Sequence, residues 1–225
     1  MISEFIYSVK DWFSFLFESF ALYPDAIMLT FQITAIGILL GTVLGLFFAF
    51  LKISKFKVLN ILANAYISII RGTPLLLQII VFYNVVRIVI NFGRMEAAAF
   101  ALAVHNGAYI AEIFRGSIES ISKGQMEAAR SLGMTHWQAM RRIILPQAFK
   151  RAIPPLANQF SIALKDSSLA TVIGVREILQ VTRTHVASAH DLRFYLTAGL
   201  IYWVLTTVIT YIVRVMENKF FSNER

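Results

Sequence analysis

The sequence predicts an all-α membrane protein, and three observations lead there. Of 225 residues, 57% are hydrophobic and only 15% charged, against about 45–50% and about 25% in a soluble domain. Mean hydropathy is +0.66. The apolar residues gather into five runs close to the roughly 20 residues that a helix needs to cross a bilayer, and none shows the short alternating pattern of a β-barrel strand. A chain with 19 Phe and so few charges cannot cover its exterior with water-facing groups, which excludes a soluble enzyme, a coiled coil and disorder.

The elements follow in order. Residues 1–24 mix Phe5, Trp12, Phe13, Phe15, Phe17 and Phe20 with Ser, Glu and Lys. Glu4, Lys10 and Asp11 break any signal-peptide core, so the segment reads as an amphipathic helix lying in the outer interface. The spans then fall at 26–51, 60–86, 97–114, 152–175 and 194–213, within a transmembrane region of 25–216 followed by a tail at 217–225. In hydrocarbon each must satisfy its own backbone as a helix. Gly37, Gly41 and Gly45 form a stripe on the first span that allows close helix approach. Five spans put the termini on opposite sides. The segments 52–57, 115–151 and 214–225 carry thirteen of the 21 Lys and Arg, the other side six, and Arg71 and Lys165 lie within spans. That bias predicts a cytoplasmic C-terminus and an outside N-terminus, and it accounts for the net charge of +8 without nucleic acid, since no basic run is interleaved with aromatics. With no Cys, disulfides, thiol catalysis and Cys-ligated zinc are excluded.

The longest polar stretch, 115–151, has internal structure. Residues 125–132 are helix formers, Gly133 is a helix stop, Thr135 with Gln138 makes a capping box that starts a second helix, and Pro146 predicts a corner before the fourth span. Met134, Trp137, Met140, Ile143 and Ile144 would give the unit an apolar face. GxxxxGK[ST] is absent, as are HExxH and GxSxG, so the chain carries no phosphate-binding or catalytic set of its own.

Glu127-Ala128-Ala129, Gly133 and Ile144-Leu145-Pro146 at this spacing resemble the EAA signature of ABC importer permeases. Arg71-Gly72-Thr73-Pro74-Leu75, Ala108-Tyr109-Ile110-Ala111-Glu112 with Arg115-Gly116, and Leu164-Lys165-Asp166-Ser167-Ser168-Leu169 are similar to elements of the polar amino-acid permeases (histidine, glutamine, arginine and cystine type), with Ser167 where Thr is usual. The resemblance spans all but the first ~20 residues and the loop near 185–190. It implies a type I importer permease fold in the bacterial inner membrane and a coupling segment at 123–146 that docks on a cytoplasmic ATPase. Met134, Thr135 and Trp137 would then be the contacts and Glu127 a polar anchor in the joint. It also implies two ATPase subunits that bind the ATP and Mg, a second permease copy or a sister permease, and an extracytoplasmic substrate-binding protein. No cofactor is expected in this chain, and no enzyme activity.

Ionisable groups at membrane depth are costly and mark function. Lys165 and Asp166 are adjacent, point about 100° apart on a helix and so need partners elsewhere. His105, Asn106 and Tyr109 are candidates to line the path, with Ser167 and Ser168 beside the charged pair. Glu112 and Arg115, three apart, suit a structural pair. Gly72 and Pro74 weaken the helix around Arg71, which with Pro74 and Gln78 reads as gate or structure. His185, His190 and Asp191 do not have zinc spacing, and an outer loop meeting a delivery protein suits them better. A self-contained ion-gradient transporter or channel would use Lys165, Asp166 and Glu112 as a relay, but it leaves the 123–146 unit without a role. A path enclosed by five spans needs two copies about a two-fold axis.

Overall fold

The computed structural model describes residues 2–91 and 93–221, the side chains of 2–9 and 216–221 excepted. Among the described residues the structure is helical throughout, without strands. Helix α1 (Ile2–Phe20) precedes α2 (Pro24–Lys52), which starts on a proline whose missing N–H costs nothing in the first turn. Helices α3 (Lys57–Arg71) and α4 (Leu75–Val81) are separated at Gly72-Thr73-Pro74. A π-turn (Phe82–Val86) and the short α5 (Arg87–Val89) continue α4, and the two halves bend by 102° at the break. Helix α6 (Arg94–Glu119) follows, then α7 (Lys123–Ser131) and α8 (His136–Ala139). A second π-turn (Met140–Ile144) leads into α9 (Leu145–Asp166), which ends in a 3-10 stretch, Ser167–Ile173. Helices α10 (Ile178–Ala189) and α11 (Arg193–Phe221) complete the chain. The tail expected at 217–225 is helical as far as Phe221 and otherwise lies outside the described residues.

Helices α2, α6 and α11 are long and apolar enough to cross a membrane, and the bent pair α3–α4, counted as one broken span, is a fourth. Helix α9 is the fifth long element of the bundle. Lys150, Arg151, Lys165 and Asp166 lower its hydropathy, yet it packs among α2, α6 and α11. The centre of the bundle is α6, with 72% of its apolar window buried against 17% for α11. Its run of Ala97, Ala98, Ala99, Ala101, Ala103 and Gly107 provides a narrow surface, and the glycine stripe of α2 seats on it. A Cβ on Gly37 would lie 2.9 Å from Leu102 Cβ, and one on Gly45 2.6 Å from Ile110 Cγ2. The stripe therefore serves packing within this chain, where small residues replace the hydrophobic drive that lipid cannot supply.

Two expectations are corrected. Pro146 makes no corner: α8, the π-turn and α9 run on as consecutive helical turns. The wider turn lets the Leu145 N–H reach Met140 O, so the ring of Pro146 enters where the ladder is already offset. The helix at the expected fourth span runs from Leu145 to Asp166 rather than over 152–175, because the tighter 3-10 geometry takes over at Ser167.

Candidate transport path and coupling segment

The candidate coupling segment, 123–146, is built at one end of the bundle, and its local structure follows the residue chemistry. Helix α7 ends on Gly133 at φ +82°. There the N–H of Gly133 reaches Arg130 O at 3.0 Å and that of Met134 reaches Ala129 O at 3.1 Å, the paired bonds of a Schellman stop. Thr135 then accepts from the Gln138 N–H at 3.2 Å while its own N–H donates to Gln138 Oε1 at 2.8 Å. The expected capping box is present and starts α8. The unit is fastened by a small core of Ile121, Ile144 and Ala148 with Ile118, Met126, Met140 and Ile143, which joins the ends of α6 and α9 to α7. Beside this core lies a cavity of about 360 Å³.

Three of the five predicted apolar-face residues, Met140, Ile143 and Ile144, pack into that core, and Met134 is half-buried. Trp137 does not join them: it is 64% exposed, and Leu132 is 81% exposed. Ala129 is buried and Ala128 exposed. The Glu127 side chain is exposed and makes no hydrogen bond or ion pair among the described residues, while its carbonyl accepts from Ser131 Oγ at 3.0 Å.

The polar residues predicted inside the membrane separate into three groups. The first sits toward the coupling end. Glu112 accepts from Lys52 Nζ at 2.7 Å and from Arg115 at 3.0 Å, and Arg115 also pairs with Glu119. The expected Glu112–Arg115 pair is there. Lys52 was not foreseen, since it closes the first span 60 positions away in sequence.

The second group ties helices together. Asn106 is fully buried, donates to Leu102 O at 2.7 Å and accepts from Gln159 Nε2 at 2.8 Å. It bridges α6 to α9. Asn106 and Tyr109, three apart, differ by about 60° around the helix, enough for one to face α9 and the other the broken span. Ser167, also fully buried, donates to Leu164 O at 2.7 Å and steadies the end of α9. Ser168 is half-buried and donates to Lys165 O at 2.7 Å.

The third group gathers at the α3–α4 break. The Arg71 guanidinium lies 5.1 Å over the Tyr109 ring, and Tyr109 lies 5.1 Å from His105. His105 Nδ1 is 3.1 Å from Gln78 Oε1, while Gln78 Nε2 donates to Ile70 O, Thr73 O and Thr73 Oγ1 at 2.8, 3.2 and 2.9 Å. Pro74 is exposed at the bend. Lys165 is exposed and Asp166 half-buried at the end of α9, and neither side chain has a hydrogen bond or ion pair among the described residues.

At the end remote from the coupling segment, Arg193 binds Asp191 and Asp11, each at 2.8 Å, and lies 4.2 Å over Phe15. This holds α1 to the start of α11. The Arg193 hydrogen bonds keep the Asp191 carboxyl below its ordinary value. Asp191 is thereby committed, His190 caps α10 at φ 54° and His185 stacks on Phe194. No group of three or more His, Asp and Glu able to hold a metal occurs among the described residues. Nearby, fully buried Glu177 caps α10 through the Leu179 and Gln180 N–H groups and accepts from the Tyr202 hydroxyl at 2.7 Å. Burial pushes its carboxyl above the ordinary value against these three donors. A Glu before an apolar helix start was the only trace of this in the sequence.

Comparison with known proteins places this architecture. Residues 41–222 match the family described as binding-protein-dependent transport system inner membrane component. A probable amino-acid ABC transporter permease of Bacillus subtilis is 38% identical over 219 residues, covering 96% of this chain and 95% of that protein. The glutamine transport system permease of Escherichia coli is 34% identical over 213 residues, covering 93% and 97%. A solved structure described as an amino acid ABC transporter with histidines superposes with a TM-score of 0.85 at 35% identity, over 90% of this chain and 95% of that one. The inward-facing methionine ABC transporter, 18% identical over 89% and 97% of the two chains, shares the fold at a TM-score of 0.78. The chain belongs to the family of inner membrane components of binding-protein-dependent transport systems, with the permease fold of type I ABC importers.

Proposed function

We propose that this chain is the permease subunit of an ATP-driven importer that moves a polar amino acid into the cytoplasm by alternating access. The observation that carries the coupling half of this reading is the unit at 123–146. Its two short helices expose Leu132 and Trp137 outward. On the other side they are bolted by Met126, Met140 and Ile144 to the ends of α6 and α9. Packed elements move as rigid bodies, so a push on α7–α8 travels along the uninterrupted helical run into α9. At the far end of α9 stand exposed Lys165 and half-buried Asp166, which feel each other's charge but make no side-chain hydrogen bond or ion pair among the described residues. A charge at membrane depth is expensive, and a zwitterionic amino acid supplies both signs. That the relatives are named for glutamine and for amino acids generally agrees with this cargo.

ATP and Mg belong to two partner ATPase subunits that dock on Met134, Thr135 and Trp137, with Glu127, Ala128, Ala129 and Gly133 shaping the joint. A second permease, identical or sister, completes the path, and an extracytoplasmic binding protein delivers the cargo near α10. The N-terminus lies outside, with residues 1–24 in the outer interface, and the C-terminal tail is cytoplasmic. The test is uptake by the purified complex in liposomes supplied with the twenty amino acids and cystine. Glu127→Lys and Gly133→Asp should insert normally but abolish uptake. Normal substrate-stimulated ATP hydrolysis by either variant complex would sink the coupling assignment. Asp166→Asn should slow uptake strongly, and a wild-type rate would remove Asp166 from the path.

A further inference from the structure

The cluster at the α3–α4 break determines more than a bend. The orientation of the Gln78 amide is not free. Its nitrogen faces Ile70 O and Thr73 O, and carbonyl oxygens only accept, so the NH₂ group must point at them and Oε1 must point away. Oε1 therefore faces His105 Nδ1 at 3.1 Å. An amide oxygen also only accepts, so Nδ1 carries the proton and the neutral imidazole bears its lone pair on Nε2. That nitrogen has no hydrogen-bond partner among the described residues. It is not sealed either, because Thr197 Oγ1 is the only fully buried side-chain N or O atom left unpaired among them. His105 is 9% exposed and sits against half-buried Tyr109, which carries the exposed Arg71 guanidinium on its ring. The small opening thus presents one defined hydrogen-bond acceptor.

We propose that Gln78 is a positioning residue that locks His105 with Nε2 as a hydrogen-bond acceptor toward the transport path, where it receives an N–H from the side chain of the transported amino acid. This rests on the permease reading above and deepens it. The cargo class is one whose side chain carries an N–H donor, such as an amide or a guanidinium. A carboxylate side chain, which only accepts, meets a second acceptor there and is disfavoured. Gln78 does not touch the cargo. The amide that satisfies the orphan carbonyls at the end of α3 also sets the histidine tautomer, so the bend and the recognition atom are built together.

Two measurements test this on the whole permease–ATPase complex. Nitrogen-15 NMR of histidine-labelled complex in lipid should show His105 protonated at Nδ1 and bare at Nε2, with that preference lost in Gln78→Leu. Equilibrium binding of glutamine, arginine and glutamate to the same complex should show the first or second bound better than glutamate. His105→Phe keeps the ring against Tyr109 and leaves the Gln78 bonds to α3 in place, so it separates recognition from folding. It should weaken glutamine or arginine binding about tenfold, the scale of one lost hydrogen bond, and leave glutamate unchanged. An Nε2–H tautomer, a tautomer indifferent to Gln78→Leu, equal weakening for all three ligands, or no binding of any of them by the wild type would each overturn the proposal. Failure of the permease reading shows elsewhere, as absence of ATP-driven uptake, and leaves the tautomer measurement standing.

Discussion

Asn106 shows how a single side chain divides between chemistry and architecture. A buried amide in a membrane helix is costly unless every polar atom is used. Here the NH₂ group returns to Leu102 O and the oxygen takes the Gln159 amide. Replacing Asn106 by Leu leaves Gln159 buried without its acceptor, a loss of about 1–3 kcal/mol. The expected outcome is a lower melting temperature of the detergent-solubilised complex, measured by tryptophan fluorescence. The preference among amino acids should not change in whatever fraction remains folded. A variant that melts like the wild type but alters preference would place Asn106 on the path instead. Glu112 is different: bound by Lys52 and Arg115, it gives α2 and α6 a shared charged joint near the coupling end.

At the scale of elements, two glycine uses are distinct. Gly133 has no atom within 4 Å of where a Cβ would be, so space is not the constraint. The constraint is φ +82°, which costs an L-residue roughly 1–2 kcal/mol. Gly133→Ala should therefore fray the end of α7 and loosen the α7–α8 turn. Faster amide hydrogen exchange across 130–136 should accompany slower uptake, with unchanged membrane insertion. Gly45 has an ordinary backbone but no room. Gly45→Val forces α2 away from α6 at a cost of about 1–3 kcal/mol, and the yield of folded complex should fall. Gly116→Val, at a site with nothing within 4 Å, is the matched control.

For the whole molecule, the clasp of Arg193 with Asp11 and Asp191 ties the N-terminal helix to the last span. Asp191 titrates below its ordinary value in the folded state, so its contribution is present above the unfolded value, about 3.9. It is lost only as pH falls through the lower folded value. With Trp137 and Trp203 replaced by Phe, Trp12 emission should hold from pH 7 to pH 5. It should shift at neutral pH in Arg193→Ala, and high salt should weaken the clasp because Asp11 is exposed. Orientation is checked in the same Cys-free chain. A Cys at Ser188 should react with an impermeant thiol reagent in intact spheroplasts, and one at Ser131 should not. Labelling of position 131 alone would invert the topology.

Composition, the length of apolar runs and the Gly133–Thr135–Gln138 pattern determined the helical membrane class, the glycine stripe and the two-helix coupling unit. These depend on short-range rules: backbone satisfaction in lipid, helix stops and helix caps. The Glu112–Arg115 pair was legible for the same reason, being one turn apart. The tertiary structure alone decided which partner each polar side chain met. The full burial of Asn106 and Ser167 was not legible, because burial and facing are invisible in one dimension, and Gln159 sits 53 positions from the amide it serves. Lys52 joined Glu112 only because the glycine stripe brings α2 against α6. The Pro146 corner failed because a π-turn offset the ladder before the proline arrived. Gln78 and His105, 27 positions apart, became a single unit only when the chain broke at Gly72–Pro74 and left carbonyls that an amide had to satisfy.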